Sequence, residues 1–336
     1  MNKKFIFSIV LGIALALCSV AFSSCGDDDE ENSGGSNPGG PSVTFSDKLL
    51  TQAGQYIFHY DEKKRCNVVE TYDYYDGPFK EVEIDYSDNS VYFDSEGMGM
   101  KVAFNQKGYI TKLSGSWNEN EEGEVSSGSL SISFTYDKSN HITSTTLTSD
   151  EKEIYEGIEF KYSGTGKSTY TWSNDNLVNI TTKYVDYENG EKSETIDKYD
   201  ITYNEGMENK ARQIPVVLSY YLIDYDISSV AIVGLFGVGP KNLPEIIINE
   251  YTEDGESYEP YETNVSYELN SDGTIKSENI DGEIQDYAYT AINDVRSKMA
   301  SSSAKHYAGP KARKAGTKLF RMLKHLQKRN NVVLQK

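Results

Sequence analysis

From about residue 55 to residue 290 the chain repeats one pattern: a short run of alternating apolar and polar residues, a polar turn, and another alternating run. Leu130-Ser131-Ile132-Ser133-Phe134-Thr135-Tyr136 is the clearest case, with apolar side chains at the even positions and hydroxyls at the odd ones. Period two sends one set to a buried face and the other into water, as in a half-buried strand. Residues 82–86, 158–162, 201–203 and 265–269 read the same way. Between such runs stand Tyr75-Asp76-Gly77, Gln106-Lys107-Gly108, Glu188-Asn189-Gly190, Glu253-Asp254-Gly255 and Ser271-Asp272-Gly273. Asn-Gly and Asp-Gly accept the positive φ angles of tight hairpins, so consecutive strands are expected to pair antiparallel.

A longer unit recurs as well: an aromatic strand end, a polar turn, then an apolar residue that opens the return strand. It is written as Phe104-Asn105-Gln106-Lys107-Gly108-Tyr109-Ile110, Tyr136-Asp137-Lys138-Ser139-Asn140-His141-Ile142 and Trp172-Ser173-Asn174-Asp175-Asn176-Leu177-Val178. Leu269-Asn270-Ser271-Asp272-Gly273-Thr274-Ile275 is a further copy. The spacing suggests a hairpin array built by duplication. A meander this long must close or curl, because free edges invite aggregation. The expected fold is therefore all-β, an antiparallel meander closed into a soluble β-barrel-like domain over residues 43–290. A membrane-spanning barrel would need an apolar outer band, whereas the polar face of nearly every strand carries Ser, Thr, Glu and Lys. One stretch breaks the alternation, residues 214–224 and 230–236. It suits either a short helix and loop that plugs or caps the barrel or fully buried strands, and periodicity does not separate the two.

The two ends of the chain follow other rules. Asn2-Lys3-Lys4 precedes an apolar run from Phe5 to Ala21, the layout of a secretory signal peptide over residues 1–24. Phe22-Ser23-Ser24-Cys25 then resembles the lipobox of bacterial lipoproteins, which implies lipid attachment at Cys25 and palmitate among its acyl chains. Two or more acyl chains make a stable anchor, at about 0.8 kcal/mol per buried methylene. Residues 25–42, acidic and then rich in Gly, Ser and Pro, hold no apolar side chain after the cysteine and read as a disordered tether. The acidic run after Cys25 resembles the surface-export signal of Bacteroidota lipoproteins and implies the outer face of the outer membrane; an ordinary periplasmic linker is the other reading. In the basic tail, residues 291–336, Leu319, Phe320, Leu323 and Leu326 recur at helical spacing. A short basic amphipathic C-terminal helix is expected over residues 316–329, suited to an anionic surface or to the acidic body, unless the tail is an extension without a role.

Charge sharpens this division. The tail holds 12 Lys and Arg against one acid and the leader two Lys, which leaves 19 basic and 51 acidic residues between them, a net charge of −32. Such a body repels nucleic acid, so no nucleic-acid partner is expected. Of three cysteines, Cys18 lies in the leader and Cys25 at the anchor, so Cys66 has no disulfide partner and reads as a small packed residue. The Tyr-rich hairpins, the lipobox and tether, and Gly234-Leu235-Phe236-Gly237-Val238-Gly239-Pro240-Lys241-Asn242-Leu243-Pro244 together resemble the Bacteroidota lipoproteins grouped as domain-of-unknown-function 4595. That resemblance implies a porin-like antiparallel barrel and no assigned activity.

Candidate chemistry is sparse. Gly234, Gly237 and Gly239 are not spaced as a dinucleotide fingerprint and read as a plain loop. His59 and His141 have no local ligand partners, and no turn has EF-hand spacing, so neither metal nor cofactor is expected. Among 51 acids some pair will suit glycoside hydrolysis by chance. Trp117, Trp172 and exposed tyrosines could stack on sugars or peptides, although aromatics in strands more often face a core. The expectation is a lipid-anchored, non-enzymatic binding module at the outer membrane surface with a glycan, peptide or protein partner. The competing reading is an exported glycan-active hydrolase with an unrecognised carboxylate pair.

Overall fold

The computed structural model describes residues 44–45, 47–73, 77–93, 98–121, 124–155, 158–222 and 228–292. The alternating runs form β1 (Thr44–Phe45), β2 (Lys48–Ala53), β3 (Tyr56–Tyr60), β4 (Cys66–Asp73), β5 (Gly77–Asp85) and β6 (Ser90–Phe93). They continue as β7 (Met98–Phe104), β8 (Ile110–Glu121), β9 (Glu124–Tyr136), β10 (Ile142–Tyr155), β11 (Ile158–Ser173), β12 (Asn176–Glu188) and β13 (Glu191–Glu208). After α1 (Val216–Leu222) and α2 (Ser228–Ile232) come β14 (Asn242–Glu253), β15 (Glu256–Ser257), β16 (Tyr261–Leu269), β17 (Ile275–Ile280) and β18 (Glu283–Ala291). Each long strand pairs antiparallel with its neighbour in sequence, and β18 returns to β2 with Thr290 opposite Leu49, so sixteen strands close a barrel. The two-residue β1 and β15 only pair antiparallel with one end of β2 and of β14.

The hairpins follow the turn chemistry. Asn189-Gly190, Asp254-Gly255 and Asp281-Gly282 have φ of 51° and 90°, 49° and 86°, and 50° and 99°, as a two-residue type I′ turn requires. The longer unit builds a second, five-residue turn. Its first residue is Asp61, Asn105, Asp137 or Asn270, whose backbone N–H donates to the carbonyl of the fifth residue at 2.8–3.0 Å. The fourth residue is left-handed each time: Lys64, Gly108, Asn140 and Gly273. In three copies the leading side chain also caps the turn, as when Asp137 Oδ1 accepts from His141 N at 2.9 Å.

These turns lie at one end of the barrel, and five aromatic residues near strand ends there donate to backbone carbonyls. Trp172 Nε1 donates to Ile142 O at 2.7 Å, Tyr86 Oη to Cys66 O and Tyr203 Oη to Leu177 O, both at 2.8 Å. Tyr60 and Tyr136 reach Leu50 O and Ile110 O in the same way. In every case the carbonyl belongs to the start of the preceding strand. Register shifts at His59/Tyr60, Ala103/Phe104, Ile142/Ser144, Thr171/Trp172 and Glu268/Leu269 interrupt the ladder at this end, so carbonyls there need other donors.

A sixteen-stranded barrel is wide enough to hold an open lumen. Here the segment between β13 and β14 fills it. Asn209-Lys210-Ala211-Arg212 begins another copy of the five-residue turn, with Arg212 left-handed at φ 50° and its N–H donating to Asn209 O. Asn209 N, however, donates to Lys241 O, so the plug is an insertion between the fourth residue and the return strand. Ile214, the valines at 216, 217 and 230, Leu218, Leu222, Ile232, Leu235 and Phe236 are all buried to within 2%. Of the two readings left open for this stretch, helix and loop is the one realised. Pro215, with fixed φ and no N–H to lose, suits the start of α1, and Ser219 N donates back to its carbonyl at 3.0 Å. Seven residues rich in Val and Tyr would not hold a helix alone; burial against the inner wall does.

The outer wall is polar. Along β11 the outward positions are Glu159, Lys161, Ser163, Thr165, Lys167, Thr169, Thr171 and Ser173. Ion pairs such as Lys183–Glu194 and Lys276–Glu268, at 2.6 and 2.7 Å, lie on the same surface. A lysine facing hydrocarbon at mid-bilayer costs about 2–4 kcal/mol, so this wall is built for water. Cys25 and the expected leader, tether and C-terminal helix fall outside the described residues.

Candidate functional site

His59 and His141 have separate sets of partners. His59 Nε2 lies 3.0 Å from Glu70 Oε2 on the surface. His141 is buried, stacked on Trp172 at 4.1 Å, with Asp137 Oδ2 at 3.1 Å and Arg212 Nη2 at 3.3 Å. That cluster joins the turn of β9–β10 to the foot of the plug. Among the described residues no group of three or more His, Cys, Asp or Glu could hold a metal ion. Cys66 is fully buried, and burial pushes its thiol far above the ordinary range, so it packs rather than reacts. Trp117 lies over Gly128, where a Cβ would come within 2.4 Å of the ring, and its Nε1 donates to Ser126 Oγ at 3.2 Å.

The glycine run has a packing explanation. Gly237 has φ +102°, and a Cβ there would sit 2.4 Å from Asn140 O; at Gly239 it would sit 2.3 Å from Gln213 O. Both glycines let the plug's exit segment press against neighbouring backbone.

The inner wall holds carboxylates that sequence reasoning did not single out. Glu278, on β17, is wholly enclosed. Its Oε2 accepts from Tyr287 Oη at 2.7 Å and from Val216 N at 3.0 Å, while Oε1 accepts from Tyr267 Oη at 2.9 Å and from Val217 N at 3.3 Å. Burial raises its pKa to about 7, against the opposing pull of those four donors. The group therefore ties the first turn of α1 to β16, β17 and β18. A signal existed in the sequence, since Glu278 shares parity with Ile280 and lies opposite the inward Tyr267. Glu151, Glu153 and Asp197 also face inward and are each at most 6% exposed.

On the outer wall, β6, β7 and β8 frame a groove of about 430 Å³. Its lining includes Ser90, Tyr92, Gly99, Lys101, Ser114 and Ser116. Pairing sets Ser90 opposite Lys101, Lys101 opposite Ser114, and Tyr92 opposite Gly99. A Cβ at Gly99 would stand 2.9 Å from the Tyr92 ring, so the missing side chain lets that ring lie on the sheet. Tyr92 nonetheless remains 43% exposed. Ser90 is 3% exposed and its Oγ has no hydrogen-bond partner among the described residues. Lys101 Nζ is held 2.8 Å from Asp88 Oδ2.

No protein-family model matches the chain, and no curated protein matches it. Among solved structures, a porin-like protein from Bacteroides vulgatus is similar over 72% of this chain and 98% of its own, with 14% identity and a TM-score of 0.40. A porin-like protein from Bacteroides uniformis is similar over 74% of this chain and 93% of its own, with 16% identity and a TM-score of 0.39.

Proposed function

We propose that this chain is a non-enzymatic binding module, held at the outer membrane surface by lipid at Cys25 and carrying its barrel on the tether of residues 25–42. The observation that carries the binding role is the filled lumen. Plug residues Ile214, Val216, Val217, Leu218, Leu222, Val230, Ile232, Leu235 and Phe236 are 0–2% exposed against the inner wall, which leaves the outer wall and the rims as contact surface. Glycan hydrolysis needs a reachable carboxylate pair, and the inward Glu151, Glu153, Asp197 and Glu278 are enclosed. The partner is then a glycan, peptide or protein met outside the cell.

Two experiments test this reading. The full-length chain and its Cys25→Ala variant are compared for membrane fractionation and radioactive palmitate incorporation. The parent is expected in the membrane fraction with label and the variant in neither; a labelled variant would overturn the anchor. The purified chain is then screened against immobilised glycans and secreted proteins. Retention without turnover is expected, and release of new reducing ends from a retained glycan would establish the hydrolase instead.

A further inference from the structure

We propose that the groove between β6, β7 and β8 is a binding site for a neutral carbohydrate chain, with a pyranose ring stacked on Tyr92. This rests on the binding-module reading above and names its site and ligand class.

Three features of the groove converge. Tyr92 offers a flat apolar face, its other side resting on Gly99. An aromatic ring with a wet edge is suited to stacking on the C–H face of a sugar. Around it stand the hydroxyls of Ser90, Ser114 and Ser116, alongside Met100 and Gly115. Ser90 Oγ is the most telling of these. A hydroxyl that is buried and unpartnered forfeits about 1–3 kcal/mol, and a ligand hydroxyl entering the groove would complete it.

Charge and topology decide the ligand class. Lys101, the groove's cation, is already engaged by Asp88, and the body around it carries −32. An anionic polymer is therefore repelled at long range, and Lys101 is held by Asp88 rather than presented to it. An extended peptide commonly docks by adding a strand to an open edge, and this barrel is closed by the β18–β2 pairing. The groove also continues into further hydroxyls. Ser114 faces Ser131 on β9, which faces Thr148 on β10, which faces Thr165 on β11. That row crosses four strands at about 4.8 Å intervals. It is a track for a polyhydroxyl chain lying across the wall.

The test is ligand-observed NMR with the full-length chain and four neutral probes: cellohexaose, maltohexaose, mannohexaose and xylohexaose. Polygalacturonate and an unstructured hexapeptide serve as anionic and peptide comparisons. At least one neutral hexasaccharide is expected to receive saturation from the protein. Tyr92→Ala, and Ser114→Trp as an independent block of the groove, should each weaken that binding tenfold or more. Tyr92→Phe should keep it within threefold, and thermal unfolding should show all three variants folded. Failure of every hexasaccharide to bind would overturn the assignment. So would binding that survives both Tyr92→Ala and Ser114→Trp, although the binding-module reading would then stand with its site elsewhere. A groove-dependent signal from polygalacturonate or the peptide alone would replace the ligand class.

Discussion

Glu278 shows how much one side chain can settle in this molecule. A carboxyl normally titrating near 4.5 is raised to about 7 by burial. The folded state therefore holds its proton more tightly than the unfolded chain does. Its stabilising contribution is complete below about pH 4.5 and is lost as pH rises through about 7. At roughly 1.4 kcal/mol per unit, the span is on the order of 3 kcal/mol. Glu278→Gln should remove this slope, so urea denaturation at pH 5 and pH 8 should show the parent losing about that much more stability than the variant. Parallel pH profiles would mean that Glu278 does not titrate in this range. Glu278→Ala is a harsher change, since it strands the N–H groups of Val216 and Val217 and two phenols, and several kcal/mol should be lost at every pH. Cys66 gives the converse case of a silent residue. Alkylation of the native chain, mapped on the peptide containing Cys66, should occur only after unfolding; labelling at the unfolding-independent rate of a free thiol would contradict its burial.

At the scale of elements, the five-residue turn recurs, and aromatic clasps fasten several strand ends at the same end of the barrel. Five donors, from Tyr60 to Tyr203, bond a carbonyl at the start of the preceding strand, where the ladder is interrupted. Tyr136→Phe keeps the ring and removes the donor to Ile110 O, so a loss of about 1–3 kcal/mol in chemical denaturation is expected. An unchanged midpoint would show that another donor satisfies that carbonyl. Glycines separate two costs in the same measurement. Gly255→Ala, with φ +86° and open space around it, should lose only the roughly 1 kcal/mol of a left-handed alanine. Gly237→Ala adds a 2.4 Å approach to Asn140 O and should destabilise markedly more. Equal losses would mean that the plug's exit segment shifts freely.

At the scale of the whole molecule, wall and plug depend on one another. The wall is too wide to fill itself with side chains, and the plug's helices are too short to stand alone. Asn209 N already bonds Lys241 O, so excising residues 213–240 would leave a closable turn and an unstrained wall. The shortened chain should nevertheless lose cooperative unfolding and bind a hydrophobic dye. A sharp transition near the parent's would show that the wall is stable empty. Filling the lumen also leaves the outer wall and the rims as the exposed surface of this barrel.

Much of this architecture is written locally. Period-two alternation, Asn-Gly and Asp-Gly turns and the recurring aromatic units determine strands, hairpins and an antiparallel meander, because each depends on residues within one turn of one another. Cys66 as packing and the glycine run as loop were legible for the same reason. The tertiary structure decided the rest. Residues 214–222 and 230–236 are largely apolar and do not alternate, so no periodicity distinguishes helix from strand, and only the lumen that receives them selects helix and loop. Glu278 looks like any of 51 body acids until β16, β18 and α1 surround it. The groove joins Ser90, Tyr92, Gly99, Lys101 and Ser114 from three strands, and strand register, a long-range property of pairing, is what places them side by side.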